Sequence, residues 1–174
     1  MSCSRAVRVE VISSSLVDAW LGELKDKHAQ RRILYAIARC EAHGRMIGDI
    51  KPVGEKVSEM RFHSAQKART TGKGGTVVKE VTFSAFDASK YLDSQEAVND
   101  YLAIALEDGD TKTVQVVLRD IARAHGMSQL AKETQLNRES LYKSLSKDGN
   151  PSFAAITKIM KALGLKITLA TQNA

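Results

Sequence analysis

The sequence has 174 residues but only two prolines, two cysteines and 5% aromatic residues. So little proline leaves helices uninterrupted. Cys3 and Cys40 are too few for a disulfide framework and match no metal-ligand spacing, which implies reduced thiols. With few aromatic rings, the core is expected to be aliphatic. No apolar run reaches the ~18 residues of a membrane span, and the segment Met1 to Glu10 lacks the apolar region of a signal peptide. A cytoplasmic protein with no membrane partner is therefore expected. Gly72-Lys73-Gly74-Gly75 lacks the Gly-x-x-x-x-Gly-Lys-Ser/Thr pattern of a phosphate loop. No Ser/His/Asp or His/Cys set is spaced as a site, and His28, His43, His63 and His125 read as surface or capping residues. Neither a metal nor a cofactor is implied, and there is no internal repeat.

What is present is ordinary for a soluble chain, at 43% hydrophobic and 26% charged residues. The length permits one domain or two small ones. The net charge of +6 is unevenly spread. Met1 to Val77 carries 14 basic and 8 acidic residues, Val78 to His125 carries 5 and 9, and Gly126 to Ala174 carries 7 and 3. The basic C-terminal stretch fits a phosphate backbone as partner. The acidic middle fits either a basic partner or a solvated helix face.

Val7 to Ile12 alternates as a strand, and Ser13 to Ser15 offer helix caps. Leu16, Val17, Trp20, Leu21 and Leu24 then recur at helical spacing, with Trp20 expected as a core anchor. A second helix is expected from Lys27 to His43, with Ile33, Leu34, Ile37 and Cys40 on one face and Gly44 ending it. Ile50 to Gly54 reads as extended, and Val57 to His63 as another strand. Residues 1–63 thus read strand, helix, helix, strand. Residues 64–77 are small, basic and glycine-rich and read as a linker. Helical signals resume afterwards. Asp93 with Glu96 has capping-box spacing and opens a helix with Ala97, Tyr101, Ile104 and Ala105 on one face. Asp110 or Thr111 caps the next, whose stripe is Val114, Val117, Leu118, Ile121 and Ala122. Ser152 caps a later helix carrying Phe153, Ile156, Ile159, Met160 and Leu163, stopped by Gly164. Leu165 to Ala170 alternates as a terminal strand.

Between the last two of these helices lies the most informative stretch, residues 126–146. It reads as a helix from Ser128 to Thr134, a turn Gln135-Leu136-Asn137, and a second helix from Arg138 to about Ser146. Leu130, Ala131, Leu136, Leu141 and Leu145 fall inside. The polar and basic residues Ser128, Gln129, Asn137, Arg138, Glu139, Ser140, Tyr142 and Lys143 fall mostly outside. This is the layout of a helix-turn-helix, whose second helix enters the major groove. Asn137 is placed to cap that helix. Arg138 has the bidentate donors that read guanine, and Ser140 or Tyr142 reaches phosphates or base edges. Gln129 is placed to clamp the backbone. An ordinary helical hairpin with a solvated outer face carries the same pattern.

Several blocks, in order, resemble a known family: Phe86-Asp-Ala-Ser-Lys-Tyr-Leu, Asp120-Ile-Ala-Arg-Ala-His-Gly-Met-Ser-Gln-Leu-Ala, Arg138-Glu-Ser-Leu-Tyr-Lys-Ser-Leu-Ser and Gly149-Asn-Pro. They look like the antidote proteins of HigA type, small repressors with an Xre/lambda-repressor-like helix-turn-helix. The resemblance spans about Val78 to Leu169. It implies a mainly α domain over 78–174 with a terminal strand, operator DNA as partner, and a homodimer with Ile167 near its interface. Relatives carry Gly in the turn where this chain has Gln135, and a non-glycine left-handed residue costs roughly 1 kcal/mol.

The first 63 residues resemble the paired killer protein, a RelE/HigB-like toxin, through Trp20-Leu-Gly-Glu-Leu-Lys-Asp-Lys-His-Ala, Gly48-Asp-Ile-Lys-Pro-Val-Gly and Val57-Ser-Glu-Met-Arg-Phe-His. The pattern stops near His63, before the toxin's final strands. This implies an α+β fragment, a truncated toxin with an open edge and an apolar face, fused to an antitoxin. Such toxins cut messenger RNA. Lys51 and Arg61 match family positions, but the residues of the missing strands are absent, so the expectation is that the chain is not an enzyme. Two alternatives stay open. One is a self-inhibited fusion whose toxin half is an active ribonuclease. The other is a toxin-like half serving as scaffold. A RelE/HigB-like toxin, in cis or in trans, is the implied protein partner.

Overall fold

The computed structural model describes residues 11–54, 57–61, 82–146 and 149–166, with the side chains of 52–54 and 57–61 left aside. The chain separates into two compact units, Met1–Asp87 and Ala88–Ala174. The linker expected at 64–77 and the strand positions 7–10, 62–63 and 167–170, Ile167 included, lie outside the described residues.

In the first unit the order is β1 (Ile12–Ser14), α1 (Ser15–Gly22), α2 (Lys27–His43), β2 (Asp49–Gly54), β3 (Val57–Arg61) and β4 (Phe83–Ala85). Ser14 ends β1 and caps α1, accepting from the Val17 amide at 3.3 Å. Asp26 caps α2 through the Ala29 amide at 2.9 Å. α2 spans the expected residues and ends on Gly44 in the left-handed region, φ 63°. It buries Leu34, Tyr35, Ala38, Cys40 and Ala42, with Ile33 and Ile37 half-buried. Gln30 is also buried, and its amide donates to the Leu21 carbonyl at 2.6 Å, tying α2 to the end of α1. Arg31 is buried beside it and donates to the Gln30 side-chain oxygen. β2 and β3 form an antiparallel hairpin with an irregularity between Pro52 and Gly54. β1 pairs with β4 in a separate antiparallel ladder.

Two expectations fail in this unit. Trp20 is not a core anchor. It is 49% exposed, as Leu16 (57%) and Val17 (47%) are, and only Leu21 of α1 is buried. Periodicity identified the stripe but could not say whether a neighbour covers it. α1 also ends at Gly22, so Leu24 lies beyond the helix and is half-buried.

The second unit opens with a 3₁₀ turn, Ala88–Tyr91, followed by α3 (Gln95–Asp108), α4 (Thr111–His125), α5 (Met127–Thr134), α6 (Arg138–Ser144) and α7 (Phe153–Ala162). α4 is central, packing on the 3₁₀ turn, α3 and α5, while α5 packs on α6 and α7. The core holds Tyr101, Val116, Val117, Leu118, Ile121, Leu130, Leu141, Leu145 and Ile159, all fully buried. α4 buries Val117, Leu118, Ile121 and Ala122 of the expected stripe and adds Thr113, Gln115, Val116 and Asp120, whereas Val114 is half-buried. The core is less aliphatic than composition suggests, since Tyr35, Tyr91 and Tyr101 are buried. A buried tyrosine hydroxyl usually finds a partner, and that of Tyr101 donates to the Asp120 carboxylate at 3.2 Å. Arg119 closes the opposite side of Asp120 at 2.9 Å.

The caps are mostly as expected, with one register error. α3 is capped by Ser94, not Asp93, through the Ala97 amide at 3.2 Å. Either residue type satisfies the orphan amide, so only geometry decides between neighbours. Asp110 caps α4, and Ser152 caps α7. Phe153, placed by periodicity in the apolar stripe of α7, is 76% exposed because it sits in the first turn, ahead of the buried Ile159, Met160 and Leu163. Leu165 and Lys166 are not in a strand. Among the described residues seven α-helices stand beside two small two-stranded sheets, and no helix is long and apolar enough to cross a membrane.

Candidate nucleic-acid interface

α5 and α6 are joined by the three residues Gln135 to Asn137. The connection turns because Gln135 adopts the left-handed conformation, φ 55° and ψ 31°, with its amide donating to the Lys132 carbonyl at 3.4 Å. It is the only non-glycine residue with positive φ among the described residues. Asn137 then caps α6, its side-chain oxygen accepting from the Glu139 amide at 2.8 Å. Thr134 is buried at the end of α5 and returns its hydroxyl to the Leu130 carbonyl at 2.7 Å.

Leu141 and Leu145 are fully buried and fix the rotation of α6 about its axis. Leu136 and Ala131, expected inside, are half-buried at the rim. With that face held, Asn137, Arg138, Glu139, Ser140, Tyr142 and Lys143 are all exposed in one short run. The Arg138 guanidinium lies over the Tyr142 ring, 5.6 Å from its centre. This i,i+4 stacking holds the arginine without consuming its in-plane donors.

Ser128 and Gln129 are exposed at the start of α5. The Gln129 amide donates to one Glu133 oxygen at 2.7 Å, and the His125 ring nitrogen meets the other at 2.9 Å. These hydrogen bonds, Gln129's first and His125's second, hold the Glu133 carboxyl below its usual range. Gln129 is therefore anchored within its own helix, with one amide N–H and its oxygen left to face outward. The Gln129–Glu133 spacing was legible in the sequence. The bond from His125 crosses the α4–α5 junction and was not.

Gly149, beyond α6, packs against the end of that helix. The Gly149 amide donates to Ser146 at 2.8 Å, and its carbonyl accepts from buried Gln115 at 2.6 Å. A Cβ at Gly149 would lie 2.2 Å from the Ser144 carbonyl oxygen and 2.5 Å from that of Lys143. Only glycine fits. Ser140, Lys143, Ser144, Ser146, Gly149 and Asn150 line a shallow concavity beside α6. Lys132, Lys143, Lys158 and Lys161 are exposed on the same unit.

The residues singled out in the first half are not drawn into this surface. Lys51 is exposed on β2, opposite Glu59 of β3, and Arg61 is placed by its main chain opposite Asp49. Cys40 is buried and free, and its sulfur accepts from the Ile47 amide at 3.3 Å. Among the described residues no three His, Cys, Asp or Glu side chains gather as metal ligands.

A family model described as "probable addiction module antidote protein" matches residues 82–171, about half of the chain. An uncharacterized protein of Haemophilus influenzae is 44% identical over 81 residues, covering 47% of this chain and 84% of the relative. No solved structure matches.

Proposed function

The chain belongs to the family of addiction-module antidote proteins, and on that premise we propose that it is a sequence-specific DNA-binding antitoxin that represses its own operon. The observation that carries this reading is the exposed run on α6, Asn137 to Ser140 with Tyr142 and Lys143, held outward by buried Leu141 and Leu145. A helix with its side chains is ~10–12 Å across, which suits a major groove ~12 Å wide. Arg138 reads base edges from the first turn. Lys143, Ser140 and Ser128 contact phosphates, and Gln129 clamps the backbone through its remaining polar atoms.

In this reading the second unit is a lambda-repressor-like domain of HigA type. It works as a homodimer on paired half-sites about one helical turn apart. Residues 1–63 are the remnant of a RelE/HigB-like killer protein, and a killer protein is the partner that the antidote restrains. The role needs neither catalysis nor a cofactor, and it places the chain in the cytoplasm with its operator.

Retardation of the upstream DNA in a gel checks it. Arg138→Ala should weaken binding to the operator by about 1–3 kcal/mol and relax the preference at one base pair. Lys143→Ala should weaken all sequences alike and lower the salt slope by about one. Variants that bind as tightly as the parent would remove α6 from the interface.

A further inference from the structure

The family match begins at residue 82, yet residues 82–87 belong to the first compact unit, not to the helical one. They are there because β4 is the ladder partner of β1. The match accounts for 84% of the Haemophilus influenzae relative, which leaves that chain no room for a counterpart of residues 1–81. An antidote segment thus occupies a strand position whose partner lies outside the family-matched half.

The ladder is defined by main-chain geometry. Ile12 faces Ala85, Ser13 faces Ser84 and Ser14 faces Phe83. At its two ends the Ser15 amide donates to the Thr82 carbonyl and the Phe86 amide to the Val11 carbonyl, both at 2.9 Å. The Ser15 hydroxyl accepts from the Thr82 amide at 3.3 Å. Bonded pairs alternate in an antiparallel ladder, so with 11/86 and 15/82 bonded, 13/84 is the bonded pair between them. The Ser84 amide points at β1, and those of Phe83 and Ala85 point away. Side-chain burial adds little, since Phe83 is 73% exposed and Ile12 60%. The association is strand addition, carried by main-chain hydrogen bonds.

We propose that Thr82–Asp87 is the docking strand of the antidote half. It grips the killer-like half by adding to the edge of β1 in cis, and it presents the same edge to the first strand of a separate killer-type chain. The partner identity rests on the reading of residues 1–63 given above, whereas the docking itself rests on the ladder alone. A two-stranded ladder this short is only marginally stable alone, so the grip is exchangeable.

The test starts from the full-length protein with a protease site inserted at Gly74–Gly75, cut after folding. The two pieces should associate reversibly, with a dissociation constant measurable by titration of one piece into the other. Ser84→Pro removes the amide that faces β1 and should weaken their association at least ten-fold. Ala85→Pro removes an amide that faces away and should change it less than three-fold. Amide exchange on the uncut parent gives an independent reading, with Ser84 and Phe86 exchanging at least ten-fold more slowly than Phe83 and Ala85. Pieces with no measurable affinity for each other, equal effects of the two prolines, or four equal exchange rates would each overturn the proposal. Operator retardation by the same uncut proteins reports separately on α6. Its loss in the parent would count against the DNA-binding reading and leave the docking result standing.

Discussion

The two units differ in how far they bury their apolar groups and pair their polar ones. In the second unit the long apolar side chains of the central helices are buried, and the polar groups that go inside are met: Tyr101 and Arg119 by Asp120, Thr134 by Leu130, Gln115 by Gly149. In the first unit Ile12, Leu16, Val17, Trp20, Met46 and Phe83 are exposed. Buried Ser13 Oγ and Arg31 Nε have no hydrogen-bond partner there. Apolar surface left in water gains nothing on folding, and buried polar groups without partners oppose it. Among the described residues the larger apolar core is that of the helical unit.

Equal substitutions in the two units should break or sharpen that contrast. Leu130→Ala deletes a fully buried side chain and should cost about 3–4 kcal/mol. Leu16→Ala, at 57% exposure, should change stability by less than about 0.5 kcal/mol. Denaturant unfolding followed by helical circular dichroism measures both, and equal losses would end the distinction. Gly149→Ala should come next, at about 2–3 kcal/mol, because its Cβ would collide with the Ser144 and Lys143 carbonyls, which belong to the backbone of α6. Operator affinity should fall with it if that loop sets the position of α6. Gln135→Gly should stabilise the helical unit by about 0.5–1 kcal/mol, since glycine relieves the left-handed strain. A fall in melting temperature would show that the Gln135 side chain contributes more than its strain.

The smallest effect is acidic. Gln129 and then His125 hold the Glu133 carboxyl below its ordinary value of 4.5. The charged form is thus favoured in the fold. The contribution is present above the unfolded value and is lost as pH falls through the lowered one. A melting-temperature series across the acid range should drop in the parent, and Glu133→Gln should flatten that part of the drop.

Much of the helical unit and its outer face was legible in the sequence. The Leu130, Leu141 and Leu145 spacing set which side of the hairpin is buried. The Asn137 cap marked where the second helix starts, and the family resemblance, not the residue itself, pointed to Gln135 as the turn position that is left-handed in the structure. The Arg138–Tyr142 stacking follows from i,i+4 spacing, although it was not anticipated. Less legible were positions where two residue types satisfy the same local need, such as Asp93 and Ser94 at the start of α3.

By itself the sequence determined the main helices, most of their starts and the polar row on α6. These depend on hydrogen bonds and side-chain contacts within about four residues. Only the tertiary structure decided that Trp20 and Phe153 face solvent, that Asp120 brings Tyr101 into the core, and that His125 reaches Glu133. It alone decided that Phe83–Ala85 joins β1 across some seventy residues of chain. A strand's partner is set by which edge is open elsewhere in the fold, and burial is set by what packs above a side chain. Neither is encoded in the spacing of the segment itself.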